Sequence, residues 1–394
     1  MKVKPANRTE LVQEYYFSRK LRQIDQMRQE GIDVINLGIG SPDMPPSEST
    51  IRVLGAEASK PGSHGYQSYI GIPPLRKAFA AWYKRYFNVD LDFEKEILPL
   101  MGSKEGIMHV SMAFINPGDV VLVPDPGYPT YSSVTSLAGG TVSYYALEEK
   151  NGWLPDLNSL EDQDLSRVKI MWTNYPHMPT GAGASHDLFE KLVAFGLKHS
   201  ILICNDNPYS FILNNEYNSI LAVDGAKEIA LELNSLSKSH NMAGWRIGMV
   251  AGNKDYISAV LKVKSNMDSG MFRALQAAAV EALNNPPAWY EKINTVYSRR
   301  RNIAEEILDA TGCSYDRKQA GLFAWGRIPD EIESCEMFVE DILNKARVFI
   351  TPGFIFGSKG NRYVRISLCS DESVLTEALK RISDFINSKN NQGR

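Results

Sequence analysis

Ile229-Ala230-Leu231-Glu232-Leu233-Asn234-Ser235-Leu236-Ser237-Lys238, with Gly244-Trp245-Arg246-Ile247-Gly248 a few residues on, is the stretch that decides how this chain reads. A mostly apolar run, Ile229 to Leu233, ends in Ser235 and Lys238, and an arginine stands close behind. A lysine at the end of a buried strand suits one chemistry well. Its amine can form a Schiff base with a carbonyl cofactor, and the arginine can grip that cofactor's phosphate through two N–H groups. The ordinary reading of such a lysine is an exposed loop residue, so the rest of the chain has to discriminate.

Outward from this stretch, short apolar runs alternate with segments of helical period. Strands are predicted at 97–101, 120–123, 169–173, 201–205, 229–234 and 247–251. Helices are predicted at 104–115, 186–198, 255–267, 272–283 and 289–311. This alternation predicts an α/β fold around a largely parallel sheet. The ends read differently. A polar amphipathic helix over 9–30 precedes Val34-Ile35-Asn36-Leu37, and the last hundred residues mix helices with short strands at 347–351 and 363–368. We therefore expect a large domain over 46–285 and a small α+β domain built from 1–45 and 286–394. The polar tail from 388 to 394 is expected to fray.

Composition narrows the function. The 394 residues carry a formal net charge of −3, with 43% hydrophobic and 23% charged residues, as in an ordinary globular protein. That balance gives no electrostatic reason to expect nucleic acid. The first eight residues hold no apolar signal core, and no run of about 18 apolar residues suggests a membrane span. Cys204, Cys313, Cys335 and Cys369 are scattered, which fits buried thiols in a reducing, cytoplasmic setting. The six histidines form neither H-E-x-x-H nor a Cys/His cluster, so no metal site is expected.

Several polar features follow predicted strands, where open α/β sheets bind ligands. Gly102-Ser103-Lys104 opens a helix whose free N–H groups favour a phosphate, or else Ser103 is a plain N-cap with Glu105 behind it. Asp206 in Asn205-Asp206-Asn207-Pro208-Tyr209 either pairs with a protonated ring nitrogen or makes an Asx turn. Asn174 and Pro179-Thr180-Gly181 follow the strand at 169–173. Arg246 holds a phosphate or a structural ion pair. Arg365 in Tyr363-Val364-Arg365-Ile366-Ser367 alternates with apolar residues. It grips a substrate carboxylate or lies on a solvated strand face. Tyr128, after Asp125-Pro126-Gly127, stacks on a planar ring or packs in its loop. Ser235-x-x-Lys238 also matches the motif of serine acylases, but no Lys-Thr-Gly follows, and Ser166-Arg167-Val168-Lys169 matches it too.

Taken together the motifs resemble the class I/II aminotransferases of pyridoxal-phosphate fold type I. Ser235-Leu236-Ser237-Lys238 with Gly244-Trp245-Arg246-Ile247-Gly248 carries the resemblance, as does Tyr66-Gln67-Ser68-Tyr69-Ile70-Gly71 with Leu75-Arg76. It runs from Ile35-Asn36-Leu37-Gly38-Ile39-Gly40-Ser41-Pro42-Asp43 to Val364-Arg365-Ile366-Ser367. The resemblance implies a mostly parallel mixed sheet flanked by helices, pyridoxal 5'-phosphate as cofactor, and a homodimer with shared active sites. It implies transfer of an amino group from an L-amino acid to a 2-oxo acid with ping-pong kinetics.

By position, the resemblance makes Lys238 the Schiff-base lysine, Asp206 the partner of the pyridine nitrogen, and Tyr209 the neighbour of the phenolic oxygen. Tyr128 would stack on the ring. Ser103, Lys104, Ser235 and Arg246 would hold the phosphate, with Tyr66 reaching over from the other subunit. Gly40 and Arg365 would bind the substrate carboxylate. One position departs: Met178 in His177-Met178-Pro179-Thr180-Gly181 replaces an asparagine that donates to the phenolic oxygen. A thioether cannot donate. The Schiff base is then expected to titrate at higher pH, with Asn174, His177 or a water in the donor's place. Two rivals remain. A carbon–sulfur β-lyase of the same fold would use the same lysine and arginine. A non-catalytic regulatory module behind a DNA-binding head would need a longer N-terminus and a basic patch.

Overall fold

The computed structural model describes residues 1, 3–12, 14 and 16–392, the last four by backbone alone. Its strands are β1 (Ile35–Asn36), β2 (Ile97–Leu100), β3 (Val120–Asp125), β4 (Thr141–Ala146), β5 (Val168–Thr173), β6 (Leu202–Asp206), β7 (Ala230–Ser235), β8 (Gly248–Gly252), β9 (Phe323–Arg327), β10 (Val348–Phe349), β11 (Thr351–Pro352) and β12 (Tyr363–Ser367). Seven of them form one sheet in the order β2-β8-β7-β6-β5-β3-β4. All neighbours are parallel except β8, which runs antiparallel to both β2 and β7.

The period of two in these strands explains the layering. Val121, Val123, Ile170, Trp172, Leu202, Cys204, Leu231 and Leu233 face one core. The intervening Leu122, Met171, Ile203 and Ala230 face the other. Helices Ser103–Phe114 and Lys254–Lys264 cover the first face through Ile107, Val110, Ile257 and Val260. Helix His186–His199 covers the second through Phe189 and Leu192. Both faces being buried, the strands read as near-continuous apolar runs.

The direction of β8 positions the site. Ser235 pairs with Gly248, so the segment between them crosses the edge where β3, β5, β6 and β7 end. Lys238 and Arg246 both lie in that crossing. Away from this sheet, β9 and β11 flank β12 antiparallel, and β1 pairs parallel with β10. The N-terminal segment is thereby tied to residues more than three hundred positions later. Helices Pro287–Ala310 and Glu372–Gln392 pack on each other.

Expectation and structure differ in places. β4 was not expected, because this edge strand is half exposed and mixes polar with aromatic residues. Helix Thr130–Ala138 escaped too, since Ser, Thr and Val are weak helix formers. The N-terminal helix is shorter than 9–30: it spans Tyr16–Gln29, after a 3-10 turn at Asn7–Thr9. Gln13 and Tyr15 of the expected helix lie outside the described residues. The tail expected to fray is helical to Gln392, and Gly393 and Arg394 lie outside the described residues. All four cysteines are buried and free. No helix among the described residues is long and apolar enough to cross a membrane.

Candidate active site

A cavity of about 370 Å³ opens at the carboxyl edge of the large sheet. Gly40, Ser103, Lys104, Tyr128, Asp206, Tyr209, Ser235, Lys238, Arg246 and Arg365 all line it. Of the residues to which the resemblance gave a cofactor or substrate role, Tyr66 alone lies elsewhere, 93% exposed on the surface.

One end is built for an anion. Gly102 caps the helix Ser103–Phe114 at φ 89° and offers no side chain to its first turn. The N-cap is thus Gly102 and not Ser103, and the positive end of the helix dipole faces the cavity without a side-chain cap. A Cβ on Gly102 would lie 2.2 Å from Arg246 Nη2, so only glycine lets the guanidinium come up to the helix start. Arg246 sits at φ 59° and donates to the Ala243 carbonyl (2.9 Å). Ser235 Oγ donates to Ser237 Oγ (2.9 Å), and Ser237 Oγ is 3.4 Å from Arg246 Nη1. Ser237 also lines the cavity. It was quoted in the opening motif but given no role.

The middle is built for a planar cation. Asp206 ends β6 and is buried. Its Oδ2 accepts from Tyr131 Oη (3.0 Å), while Oδ1 has no hydrogen-bond partner. It makes no Asx turn, because the residue two positions on is Pro208, which has no N–H to donate. Burial raises its pKa to about 7, against the pull of the Tyr131 and Ser103 hydroxyls. No cation pairs with it among the described residues, so a buried acceptor waits for a donor. Tyr131 sits three positions after Tyr128 and meets it edge to face at 5.6 Å. Its role has no sequence signal beyond that spacing. Burial raises the pKa of Tyr128 and Tyr209, so both phenols stay protonated donors.

Lys238 Nζ reaches across to the Gly40 carbonyl (2.6 Å). Burial lowers its pKa, which favours the neutral, nucleophilic amine. Gly40 itself is pressed on the Phe323 ring, where a Cβ would come within 2.2 Å.

Arg365 corrects the sequence reading. It does not lie on a solvated strand face, for every residue of β12 is buried. Its Cζ lies 3.8 Å from the Phe323 ring centroid, 4.7 Å from Phe356 and 5.6 Å from Phe17. Nη2 donates to the Gly38 carbonyl (2.8 Å), and Nη1 lies 3.3 Å from Met178 Sδ. Phe17, Phe323 and Phe356 line the cavity and carried no sequence signal as site residues. Of the three candidates to replace the missing donor, Asn174 lines the cavity. Its Nδ2 donates to the Asp206 carbonyl and its Oδ1 accepts from the Met178 N–H. His177 is buried away from the cavity against Thr180, and burial lowers its pKa to about 3.

An anion cradle, a buried carboxylate with one oxygen unpartnered, a lysine whose pKa burial lowers and a caged arginine fit a phosphorylated aromatic aldehyde with an amino acid beside it. Outside the cavity, Glu105, His109 and Asp268 bring ligand atoms within 4.8 Å of one another. The Lys264 ammonium already sits 2.8 Å from Asp268 and supplies the positive charge there.

Comparison with known proteins agrees with this geometry. The family model for aminotransferase class I and II matches residues 32–382. The LL-diaminopimelate aminotransferase of Aquifex aeolicus is 42% identical over 382 residues, covering 96% of this chain and 98% of that protein. That of Dehalococcoides mccartyi is 41% identical over 385 residues, covering 97% and 99%. Among solved structures, substrate-bound BacF from Bacillus subtilis superposes with a TM-score of 0.93 at 34% identity, covering 98% of each chain. A Thermus thermophilus aspartate aminotransferase mutant gives 0.90 at 27% identity, covering 97% and 100%.

Proposed function

Because the chain belongs to the aminotransferase class I and II family, we propose that the cavity above is its active site and that Lys238 is the covalent anchor of its cofactor. The protein is a pyridoxal-phosphate-dependent aminotransferase of fold type I. It moves an amino group from an amino acid to a 2-oxo acid. The observation that carries the site assignment is Asp206 Oδ1, a buried acceptor without a partner in a cavity that also holds Lys238.

The helix start at Ser103 and Lys104, with Ser235, Ser237 and Arg246, holds the phosphate. Asp206 holds a proton on the ring nitrogen, and Tyr131 fixes the carboxylate that does so. Tyr128 lies against the ring, and Tyr209 donates to its phenolic oxygen. Bound this way, pyridoxal phosphate supplies an electron sink for the pair left on the donor's α-carbon. Arg365, with the Gly40 backbone, orients the substrate carboxylate. Lys238 would take the proton from the α-carbon as a general base and return it during product formation. The aromatic cage around Arg365 keeps water from its guanidinium and so strengthens its hold on a carboxylate.

The working form is read as a homodimer. Tyr66, Tyr69, Met267 and Phe272 form exposed apolar surface on two segments held together by Lys264 Nζ and the Tyr69 carbonyl (2.9 Å). Tyr66 then completes the phosphate site of the partner. The domain division at 46 and 286 follows from the same reading, with β1–β10 pairing tying both termini into one small domain. The four buried thiols support a reducing, cytoplasmic setting.

Lys238→Ala tests the assignment. Turnover should fall roughly 10³-fold or more, while the folded variant still binds cofactor by equilibrium dialysis. Near-normal turnover in Lys238→Ala would overturn it.

A further inference from the structure

The residues assigned so far touch everything in the substrate except the donor's side chain, and the wall left for that side chain is apolar. Among the described residues, the charged side chains lining the cavity are Lys104, Asp206, Lys238, Arg246 and Arg365. On the reading above, four of these serve ring, anchor, phosphate and α-carboxylate. Lys104 belongs to the helix start at the phosphate end. What remains of the lining near Arg365 is Phe17, Ile39, Met178, Phe323 and Phe356.

Geometry puts the side chain against that wall. A carboxylate on Arg365 sits among the rings that cage the guanidinium, at 3.8 to 5.6 Å from its Cζ. The α-carbon is one bond from that carboxylate carbon and must also lie within reach of Lys238. The first side-chain atoms therefore meet the same apolar residues. Met178 adds a polarisable thioether 3.3 Å from Arg365 Nη1.

The arginines that could have met a distal charge are engaged elsewhere. Arg22 holds Glu14 at the surface (2.5 and 2.7 Å). Arg19 lies over the Tyr16 ring at 5.9 Å. Arg273 is half exposed, 3.9 Å from Glu57. None of the three lines the cavity. On the dimer reading, Tyr66 of a second copy serves the phosphate, and the exposed Met267 is again thioether surface.

We propose that the preferred amino donor has an uncharged apolar side chain, whether aliphatic, thioether or aromatic. It is not the donor with a second amino-carboxylate end that the names of the diaminopimelate-using relatives specify. A distal ammonium and carboxylate would be desolvated here without partners, whereas each methylene gains contact. The proposal rests on the aminotransferase reading and on Arg365 as carboxylate site.

The test uses the cofactor-loaded enzyme in single-turnover mixing, with the cofactor's absorbance as the signal. L-Leucine, L-methionine and L-phenylalanine are compared with LL-diaminopimelate and L-aspartate. The best apolar donor should react at least about tenfold faster, as second-order rate constants, than either charged one. LL-diaminopimelate or L-aspartate reacting as fast as the best apolar donor overturns the proposal and leaves the aminotransferase reading standing. No absorbance change with any donor overturns that reading instead. Calorimetry with unreactive analogues gives a readout free of turnover. 4-Methylpentanoate and 3-phenylpropanoate should bind about tenfold tighter than heptanedioate, and the reverse order sinks the idea.

Discussion

Asp206 and Glu232 are buried carboxylates on adjoining strands, one rung apart, and they differ in what surrounds them. In the ladder Asp206 faces Leu233, while Glu232 faces Asn205. Burial raises the pKa of both. Glu232 receives four donors: Tyr83 Oη and Ser219 Oγ on one oxygen (2.8 Å each), Asn205 Nδ2 (3.0 Å) and the Ile220 N–H (3.1 Å) on the other. A carboxylate has about four acceptor sites, so Glu232 is saturated by the protein itself. It ties β6, β7 and the segment at Ser219 together and acts as a strut. Asp206 has the pull of the Tyr131 and Ser103 hydroxyls, but its Oδ1 has no hydrogen-bond partner. Equal burial with unequal satisfaction separates a ligand group from a structural one.

Exchanging each carboxylate for its amide tests that contrast, and the largest effect belongs to Asp206. Asp206→Asn should lower kcat roughly 100-fold or more, because an amide cannot stabilise a proton on the ring nitrogen. Cofactor binding should weaken without loss of fold, as read by circular dichroism. Glu232→Gln should do the opposite. It introduces an N–H₂ where donors already point, and should cost about 1–3 kcal/mol in urea unfolding. Turnover per folded molecule should stay within a few-fold of wild type. A Glu232→Gln enzyme as inactive as Asp206→Asn would break the comparison.

A third measurement sharpens it through pH. The folded-state pKa of Asp206, about 7 without cofactor, lies above its unfolded value. Folding therefore takes up a proton between the two values, and the stabilisation present below the unfolded pKa is lost as pH rises through about 7. Apo Asp206→Asn should melt higher than apo wild type at pH 8, and the gap should shrink as pH falls toward 5. A gap independent of pH would show that Asp206 does not titrate as its burial demands. The smallest effect concerns the neighbouring oxygen of the ring. Met178→Asn restores a side-chain donor beside Arg365, and should move the visible-absorbance titration of the loaded enzyme to lower pH by a fraction of a unit to about one unit. Coincident curves would mean that Asn174 already does this work.

Much of this was legible in order along the chain. The strands at the sheet centre were readable because both faces are buried and each carries an apolar run that ends in polar residues. β4 was not, because half-exposed edge strands lose that signature. Lys238, Asp206, Ser103 and Arg246 were readable because each lies at or just past a strand end, opens a helix or stands just before a strand. Tyr131, Ser237 and the phenylalanines around Arg365 were not, because a packed aromatic in the core and one at a cavity look alike in sequence. Arg365 was half readable: its register was visible, but its alternation with apolar residues left a carboxylate grip and a solvated face both open.

The sequence by itself determined the chemistry of this protein, because covalent and charge-bearing residues act through their own functional groups, and strand ends place those groups on one edge. The tertiary structure decided which of two buried carboxylates is left wanting a partner, and what walls the substrate meets. Hydrogen-bond satisfaction and burial belong to pairs of residues distant in the chain, such as Asp206 with Tyr131 and Arg365 with Phe17. No spacing along a single strand or helix encodes them.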